Sequence, residues 1–248
     1  MATSADRQAA ELRQGTELAR EDADAVWGWE GPAGVLRAER RAAFLIEQCG
    51  LGPGVRCLEL GAGTGAFTSR LLLSGCDLVA IELSPDTAER CRARVAGQAE
   101  VVVGDVETGE ALGGRTFDAI VGVSVLHHVD LDATFRSTFS RLRPGGRFAF
   151  SEPNIRNPQV WAERNVPWVG RRRHTLPHER AFTAGGLRRT FEGAGFVVDL
   201  AEPFEFLHPS TPQTLIPAVR GLERFLEGTP ARIVAGSVRI AGRRAAAR

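Results

Sequence analysis

The sequence predicts an α/β fold with a doubly wound, mostly parallel β-sheet. Between about residues 55 and 152, short continuous apolar segments alternate with segments of helical periodicity. Continuous apolar segments are typical of strands that helices cover on both faces of a parallel sheet. Hydrophobic residues make up 43% of the 248 residues, which is enough for the packed core of one large domain.

Hydrophobic periodicity and turn residues place the elements in chain order. A helical segment covers residues 5–49 and ends at the Gly- and Pro-rich stretch 50–54. Ser84 is placed to cap a later helix, and Pro85 then takes its first position, where proline is tolerated. The strands predicted up to residue 152 are 55–60, 78–82, 100–104, 117–124 and 147–151. The helices predicted between them are 67–73, 85–95 and 131–142.

The regular alternation breaks after Glu152, where prolines and tryptophans become frequent. Strands are predicted at 196–200 and 232–240, and long insertions precede each of them. Such connections often carry function, and these follow strand ends, where open α/β sheets bind ligands. We therefore expect an N-terminal helical lid at 1–50 and a core at 51–248. The expected cap insertions in that core are 153–182 and 203–230.

The composition excludes several kinds of chemistry. All 31 basic residues are arginine and there is no tyrosine, so Schiff-base lysine and tyrosine catalysis are excluded. A formal charge of +1 argues against a protein that binds nucleic acid mainly through phosphates. The four cysteines form no C-x-x-C pair, so we expect free, mostly buried thiols and no metal. No apolar segment suits a membrane span or a signal peptide, so a cytoplasmic location is expected. The oligomeric state stays open.

A glycine-rich loop directly follows the first predicted strand. Gly61, Gly63 and Gly65 alternate with small residues, which lets the backbone turn tightly and approach a ligand closely. With Ala66, the loop also satisfies the dinucleotide pattern G-x-G-x-x-G/A. Glu82 ends the second strand about 20 residues later and is placed to accept hydrogen bonds from ribose hydroxyls. These features suit a nicotinamide dinucleotide and an adenosyl ligand equally.

A series of motifs favours the adenosyl ligand. In order and spacing it resembles the class I S-adenosylmethionine-dependent methyltransferases over about residues 55–152. The motifs are Leu58 to Phe67, Glu82, Gly104-Asp105, Phe117 to Ile120, Leu126-His127-His128-Val129 and Leu142 to Arg147. The resemblance implies a Rossmann-like sheet of seven strands with the last one antiparallel. It also implies S-adenosylmethionine as cofactor and S-adenosylhomocysteine as product.

The resemblance assigns cofactor-binding roles to individual residues. Residues of the loop would line the methionine part: Glu59, Gly61, Ala62, Gly63 and Gly65. The adenosine and the sulfonium would meet residues at the later strand ends. Glu82 would hold the ribose hydroxyls, and Leu83 would pack on the adenine. Asp105 would accept a hydrogen bond from the adenine amino group, with Val106 beside it. Val123 and Ser124 would lie near the sulfonium. Trp27 and Trp29 are candidates to close over the cofactor.

Candidate catalytic and substrate residues follow the fourth and fifth strands. An imidazole suits proton abstraction at neutral pH, so His127 and His128 are the candidate bases. His128 is preferred because many family members keep a histidine at the second position. The candidate substrate residues are Glu152, Asn154, Trp161 and His178.

We expect methyl transfer to an O or N atom of a small molecule, such as a specialised metabolite. Proline-rich insertions with aromatic residues suit an apolar small acceptor better than a macromolecule. The alternatives left open are an RNA or protein methyltransferase, an NAD-dependent oxidoreductase and a non-catalytic adenosyl-binding protein.

Overall fold

A computed structural model of the chain describes residues 4–21, 23–172 and 175–246. In this part of the chain, seven strands form one sheet in the order β3-β2-β1-β4-β5-β7-β6. The strands are β1 (Arg56–Leu60), β2 (Asp77–Glu82), β3 (Glu100–Val103), β4 (Phe117–Val123), β5 (Leu142–Pro153), β6 (Phe196–Phe204) and β7 (Ser237–Arg244). The helices are α1 (Ser4–Arg20), α2 (Ala23–Trp27), α3 (Gly31–Cys49), α4 (Thr68–Leu71), α5 (Pro85–Val95), α6 (Leu131–Ser137), α7 (Pro158–Asn165), α8 (Pro167–Arg172), α9 (Ala184–Gly193) and α10 (Ile216–Glu227).

The sheet topology confirms the predicted fold class. β1 pairs in parallel with β2 and β4, and β7 runs antiparallel to both β5 and β6. The last strand was predicted at 232–240, but β7 begins only at Ser237. The preceding residues form a short 3₁₀ helix, Pro230–Val234, which Thr229 caps through its side chain. The cap and the proline at the first helical position favour that turn over a strand.

The N-terminal segment differs from the single helical lid predicted at 1–50. Its described residues form three helices, and Gly28 and Gly31 adopt positive φ values of 73° and 69° between α2 and α3. α3 buries an apolar face against the sheet through residues such as Phe44 and Leu45. Only α1 and α2 can therefore serve as the lid, and α3 belongs to the core.

Two apolar layers enclose the sheet. On one face, α3 and α4 pack on β1 and β4 through a cluster that contains Phe44 and Leu71. On the other face, α6 and α9 pack through phenylalanines around Phe139, whose ring lies 5.1 to 6.3 Å from five others. The four cysteines are free and buried, as predicted.

The predicted insertions contain helices at the ligand-binding edge of the sheet. α7 and α8 lie in the insertion at 153–182, of which residues 173 and 174 fall outside the described residues. α10 lies in the insertion at 203–230, although β6 extends to Phe204 before it. Among the described helices, none is long and apolar enough to cross a membrane.

Candidate active site

A cavity of about 780 Å³ opens at the carboxyl ends of the parallel strands. It extends from the strand ends of β1 to β3 to the insertions that follow β5 and β6. Most of the residues predicted for the cofactor and for catalysis line it: Gly61, Ala62, Gly63, Glu82, Leu83, Asp105, Val106, Val123, Ser124, His127 and His128. The fold thus brings both groups of predicted residues to one cavity.

The glycine loop forms one wall of the cavity and needs its glycines for two reasons. Gly61 and Gly63 have φ values of 67° and 54°, which L-residues with side chains rarely adopt. A Cβ on Gly61 would lie 2.6 Å from Val125, and a Cβ on Gly63 would lie 3.3 Å from the Trp27 ring. Trp27 lines the cavity at this point. The loop is therefore a cradle that any side chain would narrow.

Two predicted loop residues do not line the cavity. Gly65, with a φ of 84°, faces α5, where an added Cβ would lie 3.0 Å from the Cys91 sulfur. Glu59 is buried behind the loop, and its Oε2 has no hydrogen-bond partner among the described residues. Burial raises the pKa of Glu59 to about 8. A hydrogen bond with Thr68 lowers this pKa, whereas the charge of Glu82 raises it further. Glu59 is thus largely protonated at neutral pH.

Glu82 ends β2 beside the glycine loop, and its carboxylate is held by three donors. It accepts hydrogen bonds from the backbone N–H groups of Gly63 and Ser84 at 2.8 and 3.0 Å. The Thr87 hydroxyl donates a third at 3.0 Å. A carboxylate has about four acceptor positions, so one remains for a ligand hydroxyl. The site fits the ribose role predicted for Glu82.

Asp105 is engaged by α1. Its Oδ1 accepts from the backbone N–H of Glu107 at 2.8 Å, while the side-chain amide of Gln8 in α1 donates to its Oδ2. Burial raises the pKa of Asp105, despite the opposing hydrogen bond from Glu107. These two donors leave further acceptor positions on the carboxylate for a ligand amino group.

Backbone strain marks the end of β4. Ser124 has a φ of 53°, which is uncommon for a residue with a side chain, and it lines the cavity. Its N–H donates to the Ser151 carbonyl of β5 at 2.8 Å, which fixes the unusual turn. Strained residues of this kind cluster at functional sites. From this turn the chain continues to His127 and His128.

His127 and Glu152 form a buried pair, which corrects the substrate role predicted for Glu152. Glu152 is fully buried, and its Oε1 accepts from the backbone N–H groups of Val125 and Leu126 at 3.0 and 2.9 Å. Its Oε2 lies 2.8 Å from Nδ1 of His127. Because Nδ1 is held by the carboxylate, Nε2 is the nitrogen of His127 that can exchange a proton with a ligand. Glu152 thus positions His127 instead of contacting substrate.

Burial keeps His127 uncharged. It lowers the pKa of His127 well below its ordinary value, and the charge of His128 acts in the same direction. Burial also raises the pKa of Glu152 to about 7, against the two backbone hydrogen bonds. In the tautomer whose Nδ1–H donates to the Glu152 carboxylate, the neutral imidazole has its lone pair on Nε2, which is the form that a base requires.

His128 is held differently, by Glu11 of α1. Its ring lies 4.0 Å from the His127 ring, and its Nδ1 lies 2.9 Å from Glu11 Oε1. The same Glu11 oxygen lies 2.6 Å from Nε2 of His178. Burial alone would lower the pKa of His128, but the hydrogen bond and charge of Glu11 outweigh it and raise the pKa. The pKa of His128 thus shifts in the opposite direction to that of His127, and its role as the base expected from the sequence stays a prediction.

The remaining predicted substrate residues lie outside the cavity wall. Asn154 is fully buried, and its amide donates to the carbonyls of Ile233 and Ala235, so it joins β5 to the segment before β7. Trp161 is 53% exposed on the outer side of α7. His178 reaches the site only through Glu11. The structure thus places Asn154 and Trp161 away from the cavity wall, because side-chain direction could not be inferred from position in the sequence.

Several cavity residues were not found by sequence reasoning. Glu179 pairs with Arg164 of α7 at 2.8 Å and lies 3.8 Å from His127. Ligand-type atoms of His127, His128 and Glu179 lie within 4.8 Å of one another, a spacing that a metal ion also uses. Each of the three already has a partner in the chain, and the expected absence of a metal stays a prediction.

Comparisons with known proteins agree with this geometry. Residues 34–201 match the family described as methyltransferase domain. Nodulation protein S of Rhizobium tropici is 30% identical over 145 residues, which cover 56% of this chain and 59% of that protein. The ubiquinone biosynthesis O-methyltransferase of Xanthomonas axonopodis pv. citri is 31% identical over 141 residues, 55% of this chain and 59% of that protein. The chain thus spans less than two thirds of these relatives.

Solved structures share the fold at lower identity. The N-methyltransferase NodS from Bradyrhizobium japonicum, in complex with S-adenosylhomocysteine, has a TM-score of 0.62 at 17% identity, covering 95% of this chain and 98% of that one. The [4+2]-cyclase SpnF has a TM-score of 0.67 at 16% identity, covering 97% of both chains.

The chain is a Rossmann-like methyltransferase-fold protein. It belongs to the methyltransferase-domain family, within the class I S-adenosylmethionine-dependent methyltransferases, because the family match covers more than half of its length. The cofactor of this class is S-adenosylmethionine and the product is S-adenosylhomocysteine.

Substituting Gly63 tests the cradle. We expect Gly63→Val to lower the affinity for S-adenosylhomocysteine by about 100-fold, as measured by isothermal titration calorimetry, because of its positive φ and the nearby Trp27 ring. Gly97→Val is the matched control, since Gly97 also has a positive φ, 80°, but no atom lies within 4 Å of its added Cβ. Equal losses in both variants would contradict the assignment.

The raised pKa of Glu59 predicts a pH-dependent stability. The unfolded chain ionises this carboxyl near its ordinary pKa, whereas the folded chain keeps the proton up to about pH 8. Between about pH 5 and 8, the free energy of unfolding of the wild type should fall relative to Glu59→Gln, by at most about 1.4 kcal/mol per pH unit. Urea unfolding across this range measures it. Glu89→Gln, at an exposed position, should give a profile parallel to wild type.

Proposed function

We propose that this protein transfers the methyl group of S-adenosylmethionine to an oxygen or nitrogen atom of a small molecule. One observation carries the proposal: a single cavity joins the glycine cradle and Glu82 to the histidine pair. Its volume of about 780 Å³ lies within the range typical of small-molecule sites, roughly 300–1,000 Å³.

The cradle supports the fit of the cofactor. Gly61 and Gly63 leave a concave wall that a Cβ would fill, Glu82 keeps an acceptor position for ribose, and Asp105 offers one to the adenine. When bound, the cofactor supplies an electrophilic methyl group on a sulfonium. The positive charge disappears during transfer, so the protein has no oxyanion to stabilise and alignment of the two reactants becomes its main contribution.

His127 is the proposed base. Its Nε2 accepts the proton that the acceptor hydroxyl or ammonium loses, and Glu152 holds Nδ1 and stabilises the imidazolium that results. His128, whose Nδ1 Glu11 holds, lies against His127 with its ring tilted by 37° and restricts the direction of the His127 ring. This arrangement reverses the preference that the sequence gave to His128.

The acceptor atom follows from neither the fold nor the relatives. The named proteins differ in the atom that they methylate, since the solved NodS structure is described as an N-methyltransferase and one curated relative as an O-methyltransferase. The [4+2]-cyclase with the same fold shows that the fold also supports chemistry other than methyl transfer.

We propose a role in specialised metabolism in the cytoplasm; the four free cysteines suit a reducing compartment.

Ligand selectivity and product analysis test the activity. We expect S-adenosylhomocysteine to raise the melting temperature while NAD leaves it unchanged. Methyl-labelled S-adenosylmethionine, incubated with the protein and fractionated small metabolites, should label a small molecule. Stabilisation by NAD alone would contradict the cofactor assignment, and label only in protein or RNA would contradict the acceptor class.

Replacing the two histidines separates their roles. We expect His127→Ala to reduce the transfer rate by about 10²- to 10⁴-fold with the affinity for S-adenosylhomocysteine unchanged, because the base is lost. Glu152→Gln should lower the rate less, since the ring remains. His128→Ala should have a smaller effect than His127→Ala. The reverse order of the two histidine variants, in single-turnover assays with the labelled acceptor, would return the base role to His128.

A further inference from the structure

We infer that the histidine pair forms, with two glutamates, a binding site for a divalent transition-metal ion such as zinc, and that the bound ion blocks the proposed base. The blocking rests on the proposed function, because it takes His127 as the base, whereas the site itself does not. All four side chains line the cavity: His127, His128, Glu179 and Glu11. The ion is an inhibitor and not a resident cofactor, so a metal-free active form is still expected.

His127 has the arrangement of a metal-binding histidine. Its Nδ1 lies 2.8 Å from Oε2 of the buried Glu152, and its Nε2 has no hydrogen-bond partner among the described residues. Nε2 is not one of the fully enclosed polar atoms that lack a partner, so it is open to the cavity. Histidines that bind metal ions usually donate their other ring N–H to a carboxylate, which fixes the ring and strengthens the ligand. The buried pair thus presents one imidazole nitrogen in the form that a metal ion uses.

Glu179 faces both imidazoles. Its Oε2 lies 3.8 Å from Nε2 of His127, and its Oε1 lies 4.0 Å from Nδ1 of His128. Neither separation is short enough for a hydrogen bond. Two ligands of one zinc ion, each about 2.1 Å from it, lie about 3.4 Å apart in a tetrahedral site. A movement of about half an ångström would therefore bring each pair of atoms to the separation of two zinc ligands.

Glu11 supplies the fourth ligand. Its Oε1 lies 2.9 Å from Nδ1 of His128. Two ligands at right angles around an ion, with bonds of about 2.1 Å, are separated by about 3.0 Å. A carboxylate has about four acceptor positions, so Glu11 can bind an ion and keep its contact with His178. The hydrogen bond between His128 and Glu11 is then replaced by two bonds to the ion, and the Nδ1 proton of His128 is released.

The surrounding charges favour a cation. The carboxyl groups of Glu152, Glu179 and Glu11 all lie within 4.0 Å of a nitrogen of the two rings. Arg164 opposes them, because its Nη2 lies 2.8 Å from Oε2 of Glu179. Oε1 of Glu179 accepts the backbone N–H of Leu176 at 2.8 Å. These two donors leave about two acceptor positions on Glu179, and the three carboxyl groups outnumber the arginine.

The ligand set selects the kind of metal and its effect. Imidazole nitrogens suit zinc, copper, iron and nickel ions, whereas magnesium and calcium ions prefer oxygen ligands. The two nitrogens therefore favour zinc over magnesium. An ion on Nε2 of His127 takes the lone pair that would accept the proton of the methyl acceptor. Methyl transfer is then inhibited, while the cofactor cradle stays free.

Zinc binding to the metal-free protein tests the site. Protein treated with a chelator and dialysed is titrated in a calorimeter with zinc chloride and with magnesium chloride. We expect zinc to bind with a stoichiometry of about one per chain, and magnesium to bind at least about 100-fold more weakly. His127→Ala and Glu179→Gln should each weaken zinc binding by about 100-fold, because each removes a ligand. Glu152→Gln should weaken it by about 10- to 100-fold, because Glu152 only holds the His127 ring.

His208→Ala is the matched control for zinc affinity. His208 lines the same cavity, but its Nδ1 accepts the backbone N–H of Ser210 at 3.2 Å, and within the described ranges it belongs to no group of metal-ligand atoms. This variant should bind zinc as the wild type does. No zinc binding to the wild type, wild-type affinity in Glu179→Gln, or an equal loss in His208→Ala would overturn the site. Far-ultraviolet circular dichroism checks the fold, and Glu179→Gln decides if His127→Ala does not fold.

Methyl transfer in the presence of zinc tests the inhibition. In single-turnover assays with the labelled acceptor, zinc should stop transfer at concentrations near its dissociation constant, and the chelator should restore it. Glu179→Gln should require at least about 10-fold more zinc. S-adenosylhomocysteine should bind equally well with and without zinc. Zinc that binds without slowing transfer would overturn the inhibition. Absence of transfer by the metal-free wild type would instead contradict the proposed function, and the zinc affinities of the variants would still decide the site.

Discussion

The site depends on one constraint: a carboxylate buried at the end of β5 must be fully bonded to remain there. Glu152 satisfies this by accepting the N–H groups of Val125 and Leu126 and by bonding to His127. These contacts fix the chain just after β4, so the strain at Ser124 and the direction of the His127 ring have a common cause. An uncompensated carboxylate at this depth would cost several kcal/mol, so the loop and the strand end hold each other.

Glu82 repeats this arrangement on the cofactor side. It ends β2 and accepts from Gly63 of the loop, from Ser84 and from Thr87 at the start of α5. In both places, a carboxylate at a strand end binds the backbone of the adjacent loop. The two loops that meet the cofactor and the acceptor are thus fixed to the rigid sheet, as the alignment of two reactants requires.

Helix α1 contacts both halves of the cavity. Gln8 binds Asp105 on one side, and Glu11, less than one helical turn later, binds His128 and His178 on the other. A single rigid helix therefore holds the positions of side chains at both ends of the cavity.

The sequence predicted the sheet and most of the cofactor side, because both depend on local signals. The apolar strands, the glycine loop and Glu82 lie within about 30 residues of one another, at spacings that strand and turn geometry determine. The acceptor side could not be predicted in the same way. Its contacts join Glu11 to His178, 167 residues away, and to His128, 117 residues away, and no periodic pattern marks them. Glu152 was located at its strand end but given the wrong role, since burial was not visible.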